Sequence, residues 1–184
     1  LLVSRGQFLV VVSDGSPGSA RAAGSPPNSV AATWTHVAGV FDGSSLRLYV
    51  DGVLRSQTTG APTPVAAVDT PFSIGQGVAP DGSALNSNFE GVISQARFWN
   101  VARSTEQINA GMKEGKPTDT SGLVGSWLLD EGTGISAADH SGRAHHLRPN
   151  STLIEWAPMD GTNLERVRAA IHLATVSTDV AFQK

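Results

Sequence analysis

Alternating apolar and polar positions are the clearest pattern in this chain, and they are most regular within residues 34–57. Residues 46–50 are Leu-Arg-Leu-Tyr-Val, the period of two that indicates a strand with one face toward a core. Asp-Gly pairs at 42–43 and 51–52 favour tight turns on both sides of this strand. The segment therefore predicts a three-stranded antiparallel meander.

Shorter apolar runs predict further strands, at 1–5, 7–13, 72–75, 89–99 and 122–129. Residues 15–29 are rich in Gly, Ser, Pro and Ala, which predicts a loop or a ragged edge hairpin. Residues 76–88 are rich in Gly, Asn, Asp and Ser, which predicts an exposed loop.

Two stretches predict helices. Ser104 followed by Gln107 has the form of a capping box, so a short helix is expected from there to about residue 113. Residues 164–174 repeat apolar residues at helical spacing, and 161–184 is therefore interpreted as a helical linker or tail. Many short strands with one short helix indicate an all-β, antiparallel two-sheet jelly-roll sandwich with a C-terminal helical tail.

Composition adds mainly exclusions. The net charge is −3 and no Lys/Arg run occurs, so a nucleic-acid partner is not expected. The absence of cysteine excludes thiol catalysis, disulfides and Cys-ligated zinc. No apolar run approaches the roughly 20 residues of a membrane-spanning helix, so membrane insertion is not predicted. The chain opens directly on a strand pattern, and we interpret it as a fragment of a larger protein.

Several segments together resemble the laminin-G-like, concanavalin A-like lectin/glucanase domains. The stretches 34–52 and 89–103 resemble the central hairpins and the late strand of that family, with 72–75 between them and the capped helix following. The resemblance implies a jelly-roll fold, an extracellular or cell-surface location, and a role in carbohydrate binding or cell adhesion. Fold alone does not decide function, so these are expectations.

The domain organisation allows two interpretations. Residues 122–134 resemble a segment that commonly opens a domain of this family, yet here they follow the late strand. Residues 121–160 either complete the same sandwich or begin a following repeat. The first is favoured, because a strand this apolar needs burial beside an open sheet edge. Residues 1–120 then form the jelly-roll domain, with N-terminal strands expected before Leu1.

Catalysis is not predicted. Glycosidases of this architecture need two carboxylates facing each other across a cleft. Asp130 and Glu131 are adjacent, so on a strand they would point to opposite faces. His145 and His146 are also adjacent and lack the further ligands that zinc requires.

Calcium is the one cofactor that the resemblance implies, since relatives often carry one ion at the sandwich rim. Asp139, in Asp-His-Ser-Gly-Arg, is the best candidate ligand, with Asp130 as a second. Arg143 stands where the family usually has Asn, which removes an oxygen and adds a positive charge. The alternative is that Asp139 caps its own turn.

Ligand contacts are sought among aromatic and loop residues. Tryptophans in strand patterns are core residues by default, and Trp99 and Trp156 are the expected exceptions. The predicted loop 76–88 adds three candidate polar contacts: Asp81, Asn86 and Asn88. The alternative is that this loop only connects two strands and binds nothing.

These features lead to a functional hypothesis with two alternatives. The first is a non-catalytic binding module of a larger secreted or surface protein, which engages glycans or proteins through rim loops or the concave sheet. A structural spacer or decoration domain in a surface, adhesin or toxin-like assembly is the second, with neighbouring domains of the parent chain as partners. A glycoside-acting enzyme is disfavoured by the missing carboxylate pair.

Overall fold

The computed structural model describes residues 1–13, 17–30, 33–61, 72–78, 84–89, 91–148, 166–167 and 172–174. Its elements are, in chain order, β1 (Leu2–Ser4), β2 (Gln7–Val12), β3 (Arg21–Gly24), β4 (Val37–Phe41), β5 (Ser45–Val50), β6 (Val53–Thr59), β7 (Gln76–Val78), β8 (Ala84–Asn88), β9 (Val92–Ile93), β10 (Ala96–Trp99), α1 (Thr105–Gly111), β11 (Leu123–Trp127), β12 (Arg166–Val167) and β13 (His172–Ala174). The predicted all-β class with one short helix is confirmed for the described part of the chain.

The predicted meander is β4–β5–β6. β4 pairs antiparallel with β5 at five positions, and β5 pairs antiparallel with β6. At the first turn, Oδ1 of Asp42 accepts hydrogen bonds from the backbone N–H groups of Ser44 and Ser45. At the second turn, Asp51 and Gly52 both have positive φ (50° and 75°), as a tight hairpin turn of this type requires.

The main core lies between the meander and a three-stranded sheet of order β1-β2-β3. Phe8 and Val10 of β2 belong to it together with Leu46 and Leu48 of β5. Gly39 of β4 allows the two sheets to approach, because a Cβ there would lie 2.6 Å from Cγ2 of Val10. The alternating residues that predicted a half-buried strand do face this core.

The helix α1 covers the opposite face of the meander. Its Ile108 is buried in one cluster with Val40 and Tyr49. The predicted capping box is present: Oγ of Ser104 accepts the N–H of Gln107, and Oε1 of Gln107 accepts the N–H of Ser104. Because the meander carries a core on one side and α1 on the other, every residue of β4 is buried.

The meander belongs to a six-stranded sheet of order β11-β10-β13-β4-β5-β6. β11 pairs antiparallel with β10, so residues 123–127 lie in the same sheet as the meander. The proposed domain boundaries at 120 and 160 stay predictions. Among the described residues, the one helix is far too short and polar to cross a bilayer.

The expected C-terminal helix is wrong where the structure describes it. Within 164–174, residues 166–167 and 172–174 are strands that pair parallel with β9, β10 and β4. The apolar spacing of the segment suits either a helix or a buried strand. Unpaired backbone edges in the large sheet favour the extended form, and this tertiary pairing overrides the local preference.

Three smaller expectations also need correction. The predicted strand at 72–75 is irregular, whereas part of the predicted 76–88 loop forms the β7–β8 hairpin. The predicted strand 89–99 is divided into β9 and β10. Strands of two to five residues are too short to show a clear apolar alternation, so the sequence pattern does not reveal them.

Candidate functional site

An open cleft lies where the start of β4, the β5–β6 turn and the C-terminal end of α1 meet. Its volume is ≈ 390 Å³, within the range of small-molecule sites. The side chains at its wall include one aromatic ring and several polar groups: Trp34, His36, Asp51, Gln95, Lys113 and Glu114. We call this feature the Trp34 cleft.

Trp34 is the exposed aromatic residue of this cleft. Its side chain is 37% exposed, whereas Trp99 and Trp127 are each 1% exposed. Trp34 lies just before β4, where residues alternate between two neighbouring clefts: Trp34 and His36 line the Trp34 cleft, and Thr33 and Thr35 line a second one. The backbone around Trp34 therefore forms the wall that separates them.

The turn between β5 and β6 fixes that wall. The N–H of His36 donates to Oδ1 of Asp51 at 2.9 Å, and the N–H of Asp51 donates to the carbonyl of His36 at 2.8 Å. Asp51 also lines both clefts. These paired hydrogen bonds hold the backbone of His36, two residues after Trp34, against the Asp-Gly turn, which is a preorganised arrangement suited to binding.

Buried Arg97 fixes the opposite side of the cleft. Its guanidinium donates to the carbonyl oxygens of Gly111 at 2.7 Å and Gly115 at 3.1 Å, and also to that of Glu114. The last turn of α1 has no basic residue of its own, so Arg97 satisfies carbonyls that the helix end leaves open. The chain carrying Lys113 and Glu114 is thereby held against the cleft.

The surroundings of two ionisable groups in the cleft, His36 and Glu114, shift their pKa values. Burial, together with the nearby Arg97 guanidinium, lowers the pKa of His36 to about 4 despite the opposing Asp51 carboxylate. His36 is therefore neutral at pH 7. Hydrogen bonds from the backbone and hydroxyl of Thr118 lower the pKa of Glu114, which stays ionised. The cleft thus offers an aromatic face, anionic acceptors and the ammonium of Lys113.

The ligand residues predicted from the sequence do not build this cleft. Trp99 is buried, and the Arg103 guanidinium lies 3.9 Å over its ring, so the expectation that Trp99 is exposed is wrong. Trp156 and Asp81 lie outside the described residues. The other two predicted ligand residues, Asn86 and Asn88, lie in strand β8.

Sequence reasoning missed Trp34 because a tryptophan next to a strand is usually a core residue. One signal was available. Trp34 precedes the apolar alternation that begins at Val37, so it lies at the end of the sheet and not within it. Side chains at such ends reach the rim, where loops and turns gather.

Asp139 lies at the centre of the turn that follows β11. Its carboxylate accepts four hydrogen bonds, two at each oxygen: from the N–H groups of Ser126 (2.9 Å) and Ser141 (2.8 Å), and from the Ser141 hydroxyl (2.7 Å) and the His145 N–H (2.9 Å). Burial raises the pKa of this carboxyl, but the four hydrogen bonds outweigh burial and leave the pKa below its usual value.

These contacts favour the turn-capping role of Asp139. Asp130, the second suggested calcium ligand, is exposed just beyond β11. Nε of Arg143 donates to the carbonyl of Leu123 at 2.9 Å, which places a positive charge in the same turn. Within the described ranges, no group of three or more His, Asp and Glu side chains is placed to hold a metal. Calcium at Asp139 and Asp130 stays a prediction.

Comparison with known proteins identifies a family and two relatives that match part of the chain. The family model Laminin_G_3, described as the concanavalin A-like lectin/glucanases superfamily, matches residues 1–109. Pappalysin-1 of Mus musculus is 33% identical over 81 residues, or 44% of this chain and 5% of that protein. Pappalysin-1 of Homo sapiens is 32% identical over 81 residues, with the same coverage. The match thus spans a small part of these relatives' length. No solved structure matches the chain.

Proposed function

Because this chain belongs to the concanavalin A-like lectin/glucanase superfamily, we propose that it is a non-catalytic binding module that holds a glycan in the Trp34 cleft. The exposed indole of Trp34 at the cleft wall is the observation that carries this proposal. Membership of the family gives the fold, and the cleft gives the chemistry. An extracellular or cell-surface location is part of the same proposal.

An exposed indole beside polar groups suits a sugar ring. One face of a pyranose presents C–H groups that pack on an aromatic ring, while its hydroxyls need hydrogen-bond partners at the edges. The Trp34 cleft supplies both. Asp51 and Glu114 offer carboxylate acceptors, Gln95 offers an amide, and Lys113 offers a donor. This mixture favours a hydroxyl-rich ligand over a purely apolar one.

The two carboxylates of the cleft do not support glycoside hydrolysis. One member of a glycosidase pair must be protonated to act as general acid, which requires a raised pKa. The pKa of Glu114 is instead lowered by Thr118. The side chain of Asp51 already accepts the N–H of His36 as part of the turn. Their roles in the proposal are therefore ligand contact and wall structure.

A glycan array probed with the protein and with Trp34→Ala tests the proposal. We expect a defined set of glycans to bind, with at least about a tenfold loss in Trp34→Ala from removal of a stacking face. Ile135→Ala is the matched control, since Ile135 is 75% exposed and does not line the cleft. Binding that survives Trp34→Ala, or an array without any signal, would contradict the assignment.

A protein ligand is the second candidate, and exposed aliphatic side chains favour it. Val53 and Leu54 are adjacent at the start of β6, the last strand of the large sheet, and both are exposed. Such residues on an edge strand are typical of contact surfaces between domains. Leu54→Ser is expected to weaken attachment to a neighbouring domain and to leave glycan binding unchanged. Titration calorimetry of Leu54→Ser, once with a glycan and once with a neighbouring domain, distinguishes the glycan-binding role from the protein-binding role.

A further inference from the structure

The second cleft beside Trp34 lies on the other side of the wall that this part of the chain forms. Its volume is ≈ 340 Å³, similar to that of the Trp34 cleft. Both clefts lie at the same end of the meander, because each is lined by the chain just before β4 and by Asp51 of the β5–β6 turn. We call the second one the Arg55 cleft, and its polar side chains are Ser25, Ser29, Thr33, Thr35, Asp51 and Arg55.

Two hydroxyl groups of the Arg55 cleft donate their protons to the backbone. Oγ of Ser29 donates to the carbonyl of Pro26 at 2.6 Å, and Oγ1 of Thr35 donates to the carbonyl of Thr33 at 3.3 Å. Both oxygens keep lone pairs, so toward a ligand they are hydrogen-bond acceptors. The cleft therefore favours a ligand that brings donors of its own, as the hydroxyls of a sugar do.

Arg55 supplies the donors of this cleft. Its side chain is exposed on β6, and within the described ranges of the chain it forms no ion pair with a carboxylate. A guanidinium presents five N–H donors in a fixed plane, so it can donate to two neighbouring hydroxyl oxygens of one sugar ring. Arg55 is thus available to a ligand, whereas the buried guanidinium of Arg97 donates to the carbonyls after α1.

The charges of the two clefts balance. Glu114 and Lys113 line the Trp34 cleft, Arg55 lines the other, and Asp51 lines both. His36 is neutral at pH 7, because its pKa is lowered to about 4. Two carboxylates therefore lie near two cations, so net charge draws neither an acidic nor a basic ligand to this end of the meander. A neutral ligand suits the arrangement.

Asp51 connects the two clefts. Its Oδ1 accepts the N–H of His36, so Oδ2 is the oxygen that remains for a ligand. The wall between the clefts is a single stretch of chain, since alternate residues from 33 to 36 line opposite sides of it. An oligosaccharide that crosses this wall can place rings in both clefts and donate a hydroxyl to Asp51 between them.

We propose that the Arg55 cleft is a second sugar subsite, and that the ligand is a neutral oligosaccharide whose rings occupy both clefts across Asp51. The inference rests on the proposed function, because it extends the glycan that stacks on Trp34. A single ring makes the Trp34 contacts alone. A longer chain adds the contacts of Arg55, Ser29 and Thr35 without a second loss of translational freedom, so it binds more tightly.

A glycan array that carries neutral sugars as single rings and as chains of up to about six rings tests the inference. For the wild-type chain, we expect binding to strengthen by at least about tenfold between one ring and the longest chain of a series. Arg55→Ala should remove this gain and leave the binding of single rings unchanged, whereas Trp34→Ala should weaken binding at every length. Arg148→Ala is the matched control, since Arg148 is exposed and lines neither cleft.

The outcomes distinguish this inference from the proposed function. An array without any binding to the wild-type chain overturns both. Binding that depends on Trp34 but is equal for single rings and long chains, or that Arg55→Ala leaves unchanged at every length, overturns the inference alone. Thermal unfolding of Arg55→Ala should match that of the wild type, because the side chain is exposed. A selective loss for long chains then reports a lost contact and not a failure to fold.

Arg55→Lys and the salt dependence test whether the ligand is neutral. Lysine keeps the positive charge but lacks the planar pair of donors, so Arg55→Lys should also lose the gain for long neutral chains. Titration calorimetry of the wild type with a neutral chain that binds on the array should give affinities within about twofold of each other at about 50 mM and about 500 mM NaCl. Preference for sulfated or carboxylated chains, a steep loss of affinity with salt, or full activity of Arg55→Lys would overturn the neutral class.

Discussion

The β4–β5 hairpin and the Asp139 side chain in the turn after β11 are both buried, yet opposite kinds of contact stabilise them. In the hairpin, Leu46 and Leu48 lie in an apolar core with Phe8 and Val10. In the turn, a single carboxylate, that of Asp139, accepts four hydrogen bonds. Apolar burial does not depend on protonation, whereas hydrogen bonds to an ionised group do. Acid should therefore distinguish the two regions.

The largest expected loss of stability comes from a substitution in the apolar core of the hairpin. Leu48 is 0% exposed, so Leu48→Ala should lower the free energy of unfolding by about 2–5 kcal/mol through lost burial and a cavity. The loss should be equal at pH 7 and pH 5. Urea denaturation at both pH values measures it, with the exposed Val53→Ala as control. A loss no larger than that of the control would show that the core does not depend on this contact.

His36, at the entrance to the hairpin, should give this otherwise pH-insensitive region one titrating site. Its pKa in the fold is about 4, below the 6.5 of the unfolded chain, so stability is full above pH 6.5 and falls as the pH drops toward 4. The contribution is up to about 3 kcal/mol. His36→Asn should flatten this part of the curve of unfolding free energy against pH. An unchanged slope between these pH values would refute the assignment.

Removing the charge at the turn sharpens the contrast. Asp139→Asn should cost about 1–3 kcal/mol at pH 7, because an amide cannot accept all four hydrogen bonds. The lowered pKa of Asp139 means that this stabilisation is lost as the pH falls below 3.8, where wild type and variant should converge. Thermal unfolding from pH 7 to pH 3 tests this. The exposed Asp130→Asn serves as control, and a pH-independent difference would count against the carboxylate.

The smallest effect concerns the helix that covers the hairpin. Ser104→Ala removes the hydroxyl that accepts the N–H of Gln107, and should cost about 1 kcal/mol. Chemical denaturation measures the loss, with the exposed Thr133→Ala as control. If the variant matched wild type, the cover of the hairpin by α1 would rest on Ile108 and its apolar neighbours alone.

Local chemistry explains which elements the sequence predicted. The meander follows from alternation and Asp-Gly turns, and α1 from its capping box, because each signal lies within a few residues. The placement of β13 depends on β4 and β10, which are remote in sequence, so periodicity pointed to a helix instead. The exposure of Trp34 depends likewise on which elements meet around it. For Asp139, the hydrogen bonds from Ser141 lie within its own turn and could be expected from the sequence, whereas the one from Ser126 depends on β11.

Gly39 also constrains how this fold can vary. Position 39 has no side chain, and the Val10 side chain of the facing sheet fills the space that a Cβ there would need. The two positions are therefore coupled: the side-chain volume at one can increase only if the volume at the other decreases. Descendants of this sequence that gain a side chain at 39 should shrink the residue at 10 in compensation.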